Sequence, residues 1–397
     1  MLTIETIYAD IGYASLTKDG QMICGDHVEK VQCEDGSIVA VLADGLGSGV
    51  KACILSTLTA TIISRMIAEN LPIANCVNAV AEALPVCSVR HLAYSTFTVL
   101  HISTSGMHSI FQYDNPSTIL LRDGAEVEIP FSSTVIDDKT IESAKIQLQK
   151  DDVVIAISDG VENAGVAFGG ASYENKWGRA AIVDYMEPFS VVGFSAKTIN
   201  TILLDECFKR YVAEPGDDTT ALTLCIKERE QVNVLVGPPA NVADTHKMMS
   251  LFFSKKGRHV VCGGTTAKIA ADYLGKKIVD DPYIQNDPDI PAMGKIEGVD
   301  LTTEGVLTLS RVLEYAEDYL QDNRTYVQWC YSRDSASLMA RMLFEEATDI
   351  NIFVGSAVNP AHQGAEKSIS FATKMKIIND LKDRLEDMGK QVRSTYF

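Results

Sequence analysis

Four aspartate positions stand at the ends of apolar runs, beside glycines or a second aspartate, and their side chains could hold metal ions. The positions are Asp26 in CGD, Asp44 in ADGLGSG, Asp159 in ISDGV and the pair Asp217–Asp218 in GDDTT. Mg²⁺ and Mn²⁺ prefer oxygen ligands, and two such ions lower the pKa of a bound water and hold the oxygens of a displacement at phosphorus. Each position alone is also ordinary turn chemistry, so the residues by themselves support a metal site and a set of turns about equally.

The elements that must position these aspartates read mostly as strands. Apolar runs predict strands over 37–43, 95–102, 107–114, 117–121, 126–129, 153–158 and 219–226. Helical patterns cover 50–69, 73–84 and 195–210. Because strands outnumber helices and several connections are hairpin-like, the first half is predicted to be an α+β domain, an antiparallel β-sandwich flanked by helices.

The second half of the chain has a different pattern, in which strands alternate with helices. Strands are predicted over 232–236, 259–262, 277–280 and 351–354, and helices over 242–253, 265–274, 307–320, 335–347 and 367–388. Such alternation predicts a smaller α/β domain with a largely parallel sheet. The charged run 227–231 separates the halves, so the expected domains are 1–228 and 229–397.

Two glycine-bearing turns follow strands in the second half, at 237–241 and 263–266. Gly263, Gly264, Thr265 and Thr266 precede a helix and could present backbone N–H groups to an anion. The alternative is a helix cap made by Thr265 or Thr266. If loops 298–305 and 359–364 meet the glycine turns at one end of the sheet, a small-ligand pocket results.

Composition limits the partners and the compartment. The 397 residues carry a formal net charge of -18, which argues against nucleic acid and anionic membranes as partners. Nine scattered cysteines without a CxxC pair favour a reducing, cytoplasmic location. The N-terminus does not resemble a signal peptide, and the apolar stretch 52–68, which contains Arg65, is expected to be a core helix rather than a membrane span.

The order and spacing of the aspartate motifs resemble those of a known family. GD at 25–26, ADGLGSGVKA at 43–52, SDG at 158–160 and GDDTT at 216–220 are similar to the motifs of the metal-dependent protein phosphatase (PPM) family. The similarity is greatest to the branch typified by the stage II sporulation protein E (SpoIIE). It covers residues 1–228 and implies a central sandwich of two antiparallel sheets flanked by helices.

The resemblance implies roles for five site residues. Asp44 matches the carboxylate that bridges two Mn²⁺ or Mg²⁺ ions, Gly45 the donor of a backbone carbonyl to one metal, Asp159 and Asp218 the ligands of the second metal, and Asp26 a residue acting through metal-bound water. Asp44 and Asp26 are therefore the expected catalytic residues, with a metal-bound water attacking phosphorus directly. No phosphate-binding arginine is evident, and Lys51 and His27 are weaker candidates for contact with substrate.

Three functions follow for comparison. The first is a serine/threonine phosphatase acting on a phosphorylated regulatory protein, with an effector at the C-terminal domain and a homodimer left open. The second is a nucleotide-binding oxidoreductase that uses DGLGSG as a phosphate loop; the charge of Asp44 and the lack of a suitably placed acidic residue about 20 positions on disfavour it. The third is a non-catalytic signalling scaffold with a ligand-binding C-terminal domain.

Overall fold

The structure, a computed structural model, describes residues 7–84, 95–103, 106–166, 176–281, 283, 294–357 and 371–397. Contacts divide the chain into two compact units, Met1–Glu228 and Arg229–Phe397. We propose these units as the two domains of the protein. The loop expected at 359–364, and the beginning of the helix expected at 367–388, lie outside the described residues.

The N-terminal unit consists of short strands and five helices within the described ranges. Its strands are β1 (Ile7–Leu16), β2 (Asp26–Gln32), β3 (Ile38–Asp44), β4 (Thr96–Ile102), β5 (Met107–Tyr113), β6 (Ile119–Arg122), β7 (Ala125–Glu126), β8 (Ser132–Ile136), β9 (Lys139–Gln147), β10 (Val153–Ile157) and β11 (Thr219–Glu228). Its helices are α1 (Val50–Ala68), α2 (Ile73–Ala83), α3 (Asp159–Glu162), α4 (Arg179–Ser190) and α5 (Ala196–Arg210).

The strands of this unit form two antiparallel sheets. One has the order β1-β11-β10-β6-β7 and the other the order β2-β3-β4-β5-β9-β8. Inner residues such as Leu42 and Leu100 of one sheet and Val154 and Leu222 of the other form a shared core. The sheets therefore pack face to face, and the expected α+β sandwich is confirmed.

Helices cover both outer faces, which explains the continuous apolar runs in β3 and β10. Along β3, Val39 and Val41 pack under α1 and α2, whereas Leu42 faces the other sheet. Along β10, Ile155 and Ile157 pack under α4 and α5. Each of these strands is thus buried on both sides.

Helix α1 is the one helix among the described residues that is long and apolar enough to cross a membrane. Its residues Leu55, Ile63 and Ile67 are buried against β3 and β4 in the same hydrophobic cluster as Val39 and Phe97. These contacts are those of a core helix.

The C-terminal unit is an α/β fold. Its strands are β12 (Gln231–Val236), β13 (Arg258–Cys262), β14 (Ile278–Val279), β15 (Lys295–Ile296), β16 (Leu301–Thr303), β17 (Asp349–Val354) and β18 (Gln391–Tyr396). Its helices are α6 (Thr245–Phe253), α7 (Gly264–Leu274), α8 (Val306–Leu320), α9 (Tyr326–Tyr331), α10 (Ser335–Ala340) and α11 (Phe371–Asp387). Five strands form a parallel sheet in the order β16-β13-β12-β17-β18, which confirms the α/β class.

Two sequence-based expectations for this unit need correction. The strand expected at 277–280 is β14, and it pairs antiparallel with β15 outside the main sheet. The helix expected at 335–347 is divided, because α10 ends at Ala340 and a π-helical segment, Arg341–Glu346, follows. Hydrophobic periodicity alone does not show which sheet a strand joins or where an α-helix changes into a π-helix.

Candidate active site

The pleat of β2 and β3 directs two aspartates into the space between the sheets. Leu42 of β3 belongs to the core between the sheets, and Asp44, two residues later, lies on the same face. Asp26 is the Cα partner of Asp44 across the β2–β3 ladder, and Val28 of the same face is also in the core. The register therefore brings Asp26 and Asp44 together at one end of this sheet.

The opposite sheet supplies Asp218 at the same end. Leu222 and Leu224 of β11 face the core between the sheets, and the alternation continues through Thr220 to Asp218, just before the strand. Asp218 is only 3% exposed and Asp26 only 6%. Two buried carboxylates, 192 positions apart by number (218 − 26), thus face each other across the sandwich.

Asp159 begins the short helix α3 directly after β10. The preceding residue, Ser158, fixes this strand end to β11, since its hydroxyl accepts a hydrogen bond from the Thr220 amide at 2.9 Å. The Asp159 side chain is exposed, yet neighbouring protein partly desolvates its carboxylate. That desolvation and the charge of Asp217 raise its pKa.

The aspartates act on one another electrostatically. Burial raises the pKa of Asp26 to about 7, and the nearby Asp218 carboxylate adds to this increase. Burial also raises the pKa of Asp44 to about 10, and the charges of Asp26 and Asp159 contribute. Asp217 is a further contributor. A bound cation would reverse this tendency by favouring the ionised forms.

Glycines beside the aspartates allow the backbone to approach closely. A Cβ on Gly25 would lie 2.7 Å from Oδ2 of Asp218. A Cβ on Gly45 would collide with the backbone of Ala52 in the first turn of α1, and one on Gly160 would collide with the backbone carbonyl of Asp218. Glycine is therefore sterically required at positions 45 and 160, because a side chain would meet backbone atoms there and not because φ is positive.

The donor types of this cluster fit a hard divalent cation. Both side-chain oxygens of Asp26 and Oδ2 of Asp218 are buried and accept no hydrogen bond. Such oxygens are costly to bury unless a proton or a cation compensates them. Within the described ranges, no group of three or more His, Cys, Asp or Glu side chains is arranged so that it could hold a metal ion by itself. What the cluster offers a cation is carboxylate oxygens. Mg²⁺ and Mn²⁺ bind such oxygens together with water molecules.

Lys18 lies beside the aspartates, and sequence reasoning missed it. Its Nζ lies 3.3 Å from Oδ1 of Asp217, and its backbone N–H donates to Oδ1 of Asp218 at 3.1 Å. His27 instead approaches Glu29 at 3.5 Å, and Lys51 is exposed at the start of α1. The tight DGLGSG and GDDTT motifs gave no signal for Lys18, because it lies about 200 residues from its partners.

The candidate anion site of the C-terminal unit lies at the carboxyl end of β13. Gly263 is the N-cap of α7, with φ of 107°, and no side chain caps this helix end. The capping alternative is therefore not realised by Thr265 or Thr266. Gly264 and Thr265 are exposed, whereas Thr266 is buried.

The antiparallel sandwich with helices on both outer faces is the fold that the resemblance to the PPM family implied. Residues 34–227 match the family model described as Stage II sporulation protein E (SpoIIE). The N-terminal part of this chain is therefore similar to the SpoIIE family, as the aspartate motifs indicated.

Solved structures of phosphatase domains are similar to parts of this chain at low sequence identity. The phosphatase domain of SpoIIE from Bacillus subtilis is 16% identical with a TM-score of 0.42, and the match covers 56% of this chain and 94% of that chain. The RsbU and RsbW domains of a Mycobacterium tuberculosis protein are 15% identical with a TM-score of 0.45, covering 83% of this chain and 78% of that one. RsbX in complex with magnesium is 18% identical with a TM-score of 0.39, covering 56% and 96%. No curated protein matches the chain.

Proposed function

We propose that the N-terminal unit is a metal-dependent serine/threonine phosphatase that acts on a phosphorylated regulatory protein. The observation that carries this proposal is the meeting of Asp26, Asp44 and Asp218 from two sheets, with buried carboxylate oxygens that lack hydrogen-bond partners. The cofactors are two Mn²⁺ or Mg²⁺ ions, and the location is the cytoplasm. The C-terminal unit, residues 229–397, is a ligand-binding, regulatory domain in this proposal.

Each aspartate has a distinct position from which it would hold a cation. Asp44 lies among the carboxylates of Asp26, Asp159 and Asp217 and would be the central ligand of the ions. Asp159 and Asp218, which come from the other sheet, would help to hold them, as would the backbone carbonyl of Gly45 beside Asp44. When bound, the cations lower the pKa of a water and offset charge on the phosphoryl oxygens.

The residues of the chain itself orient the site. The Tyr211 hydroxyl donates to the Gly160 carbonyl at 2.7 Å and thereby holds the turn that carries Asp159. Lys18 is held at the edge of the cluster by Asp217. From that edge its ammonium group would attract and position an anionic phosphoryl group.

Hydrolysis of a phosphoserine peptide by the full chain tests the proposal. Turnover should require Mn²⁺ or Mg²⁺ and should stop in EDTA. Asp44→Asn and Asp218→Asn should each abolish it, because a neutral amide is a poorer ligand for a hard cation. Asp123→Asn is a matched control, since Asp123 is exposed in a turn with φ of 52° that asparagine tolerates.

The two site variants and the control should have the same circular dichroism spectrum as the wild type. Metal-dependent hydrolysis retained by both site variants would refute the metal assignment. Hydrolysis absent from the wild type under every metal condition would favour the non-catalytic scaffold.

A further inference from the structure

The parallel sheet of the C-terminal unit reverses its strand order at one point. From β12 the chain proceeds outward through β13 and β16, and it then returns to β17, on the other side of β12, and continues to β18. The chain thus adds strands toward one edge of the sheet before this point and toward the opposite edge after it. In open α/β sheets, the crevice outside the carboxyl ends of the strands at such a reversal is the usual ligand site.

Two glycine loops meet at this reversal. Gly237 follows β12 with φ of 79°, and Gly355 follows β17. A Cβ on Gly355 would collide with the backbone carbonyls of Gly237 and Pro238. The backbones of the two loops are thus in direct contact, and no side chain of either glycine fills the space above them.

Lys374, in the first turn of α11, places its ammonium group over the contact between the two glycine loops. Its Nζ donates to the carbonyl oxygen of Gly355 at 2.9 Å, and a Cβ on Gly237 would collide with the same nitrogen. No Asp or Glu side chain in the described part of the chain forms an ion pair with Lys374. Partial burial lowers its pKa. A half-buried ammonium group without a counter-charge is costly, and an anionic ligand would offset that cost.

The N-terminus of helix α7, which no side chain caps, lies near this lysine. Cys262, which ends β13, lies close enough to Lys374 for the ammonium charge to act on its buried thiol, and α7 begins two residues later. The first amides of α7 have no intrahelical partners, and no side chain caps them. The neighbouring helix α8 differs, because Glu304 accepts a hydrogen bond from the Leu307 amide at 3.0 Å.

A buried hydroxyl lies at the same strand ends. Thr303 ends β16 next to Cys262 in the sheet, and its side chain is fully buried. The Cys262 thiol is a polar neighbour of this hydroxyl and also feels the charge of Lys374, so Thr303 is on the side of the sheet that Lys374 reaches. Polar groups of three neighbouring elements thus lie at this edge of the sheet.

We propose that this carboxyl edge binds the phosphate group of a small phosphorylated molecule, with Lys374 as the charge partner and the first amides of α7 as hydrogen-bond donors. Phosphate suits the site because its oxygens accept several N–H donors while its charge pairs with the ammonium group. The glycine loops leave room for the phosphate to approach the backbone. The inference does not depend on catalysis by the N-terminal unit.

Calorimetric titration of the full chain with inorganic phosphate, AMP and ATP tests this site. EDTA is present throughout, so that the aspartate cluster carries no cation that could bind these anions. Lys374→Gln should weaken binding of the preferred probe at least about tenfold, as expected for loss of a hydrogen bond to a charged group. Lys376→Gln is the matched control, because Lys376 is exposed on the same helix. The three probes distinguish a site for free phosphate from one that requires a nucleoside.

Saturable binding that is lost in Lys374→Gln and retained in Lys376→Gln supports the proposal. Equal binding by both variants, or no saturable binding of any probe by the wild type, overturns it. Should Lys374→Gln fail to fold, acetylation of the wild type by acetic anhydride decides the question. A bound probe should slow the acetylation of Lys374 relative to that of Lys376. Equal acetylation of Lys374 with and without the probes would contradict the site. Metal-dependent hydrolysis by Lys374→Gln, assayed separately, reports on the phosphatase proposal alone.

Discussion

At the scale of single residues, the buried aspartates make the metal-free protein sensitive to pH. The folded-state pKa values of Asp26 and Asp44 are raised from 3.8 to about 7 and about 10. A raised carboxyl pKa means that the folded state holds a proton which the unfolded state has lost. The stability from these groups is therefore complete below about pH 4 and is lost as the pH rises through the folded-state values.

This linkage predicts the behaviour of Asp44→Asn without metal. In EDTA, the free energy of unfolding of the wild type should fall between pH 6 and 8, by up to about 1.4 kcal/mol per pH unit from Asp44. Asp44→Asn removes that titration, so its unfolding free energy should depend less on pH and exceed that of the wild type at pH 8. Urea denaturation at several pH values measures both. Equal slopes for the wild type and Asp44→Asn would contradict the burial of this charge, whereas Asp123→Asn should keep the wild-type slope.

Lys18 gives a prediction for substrate positioning. Lys18→Ala should raise KM for a phosphopeptide several-fold with a smaller change in kcat, because loss of binding that is equal in the ground and transition states affects KM alone. Lys51→Ala, which removes an exposed lysine from the start of α1, should leave both constants unchanged. Steady-state kinetics with saturating Mn²⁺ make the comparison. An unchanged KM in Lys18→Ala would exclude this positioning role.

The sequence indicated the aspartates of the site but not the lysine beside them. Asp44, Asp159 and Asp218 stand in short motifs whose glycines and neighbouring apolar strands are visible locally. Lys18 has no such context, and its relation to Asp217 arises only when β1 pairs with β11. Long-range pairing of this kind leaves no local pattern.

At the scale of elements, a half-buried ion pair connects the strands of the first sheet. Asp152 is fully buried before β10, and Arg122 at the end of β6 donates to both of its carboxylate oxygens at 2.7 Å. The Gln149 amide also donates to this carboxylate at 2.7 Å. The pair therefore fixes the turn between β9 and β10.

Asp152→Ala should consequently destabilise the N-terminal unit by about 3 kcal/mol, since it leaves a partly buried guanidinium without its partner. Lys150→Ala removes an exposed pair with Glu228 and should cost about 0–1 kcal/mol. Chemical denaturation monitored by circular dichroism compares the two. Similar losses in both variants would contradict a special role for Asp152.

Long apolar elements were predictable, whereas edge strands were not. The strands at 37–43 and 153–158 and the helix at 50–69 agree with β3, β10 and α1, because burial on both faces gives a continuous apolar pattern. The N-terminal strands β1 and β2 were missed. Both carry polar residues in alternation, and pairing with a distant strand stabilises β1 along its whole length.

At the scale of the whole molecule, each unit has a hydrophobic core of its own. Phe252 is fully buried in the C-terminal core together with Met248, Val261 and Phe353. If the units are domains, Phe252→Ala should lower the stability of the C-terminal unit by about 3–5 kcal/mol. Scanning calorimetry should then show one transition shifted and one unchanged. Metal-dependent hydrolysis should persist between the shifted and the unchanged transition, and its loss there would show that the units do not fold independently.

The class of both folds could be predicted from periodicity, but not the meeting of distant loops. The carboxyl edge that brings together Gly237, Gly355 and Lys374 depends on a strand order in which β17 inserts beside β12. Several orders are compatible with the same alternating pattern of strands and helices. The sequence therefore predicted loops capable of binding an anion. It did not predict that Lys374 lies beside them as the proposed charge partner of that anion.

In the proposed active site, aspartates from two sheets hold divalent cations between them. Titration of the metal-free full chain with Mn²⁺, followed by electron paramagnetic resonance of the free ion, tests it most directly. The wild type should bind about two ions, as expected for a two-metal hydrolase, and Asp44→Asn should lose high-affinity binding while Asp123→Asn retains it. Two tightly bound ions in both Asp44→Asn and Asp218→Asn would contradict the account.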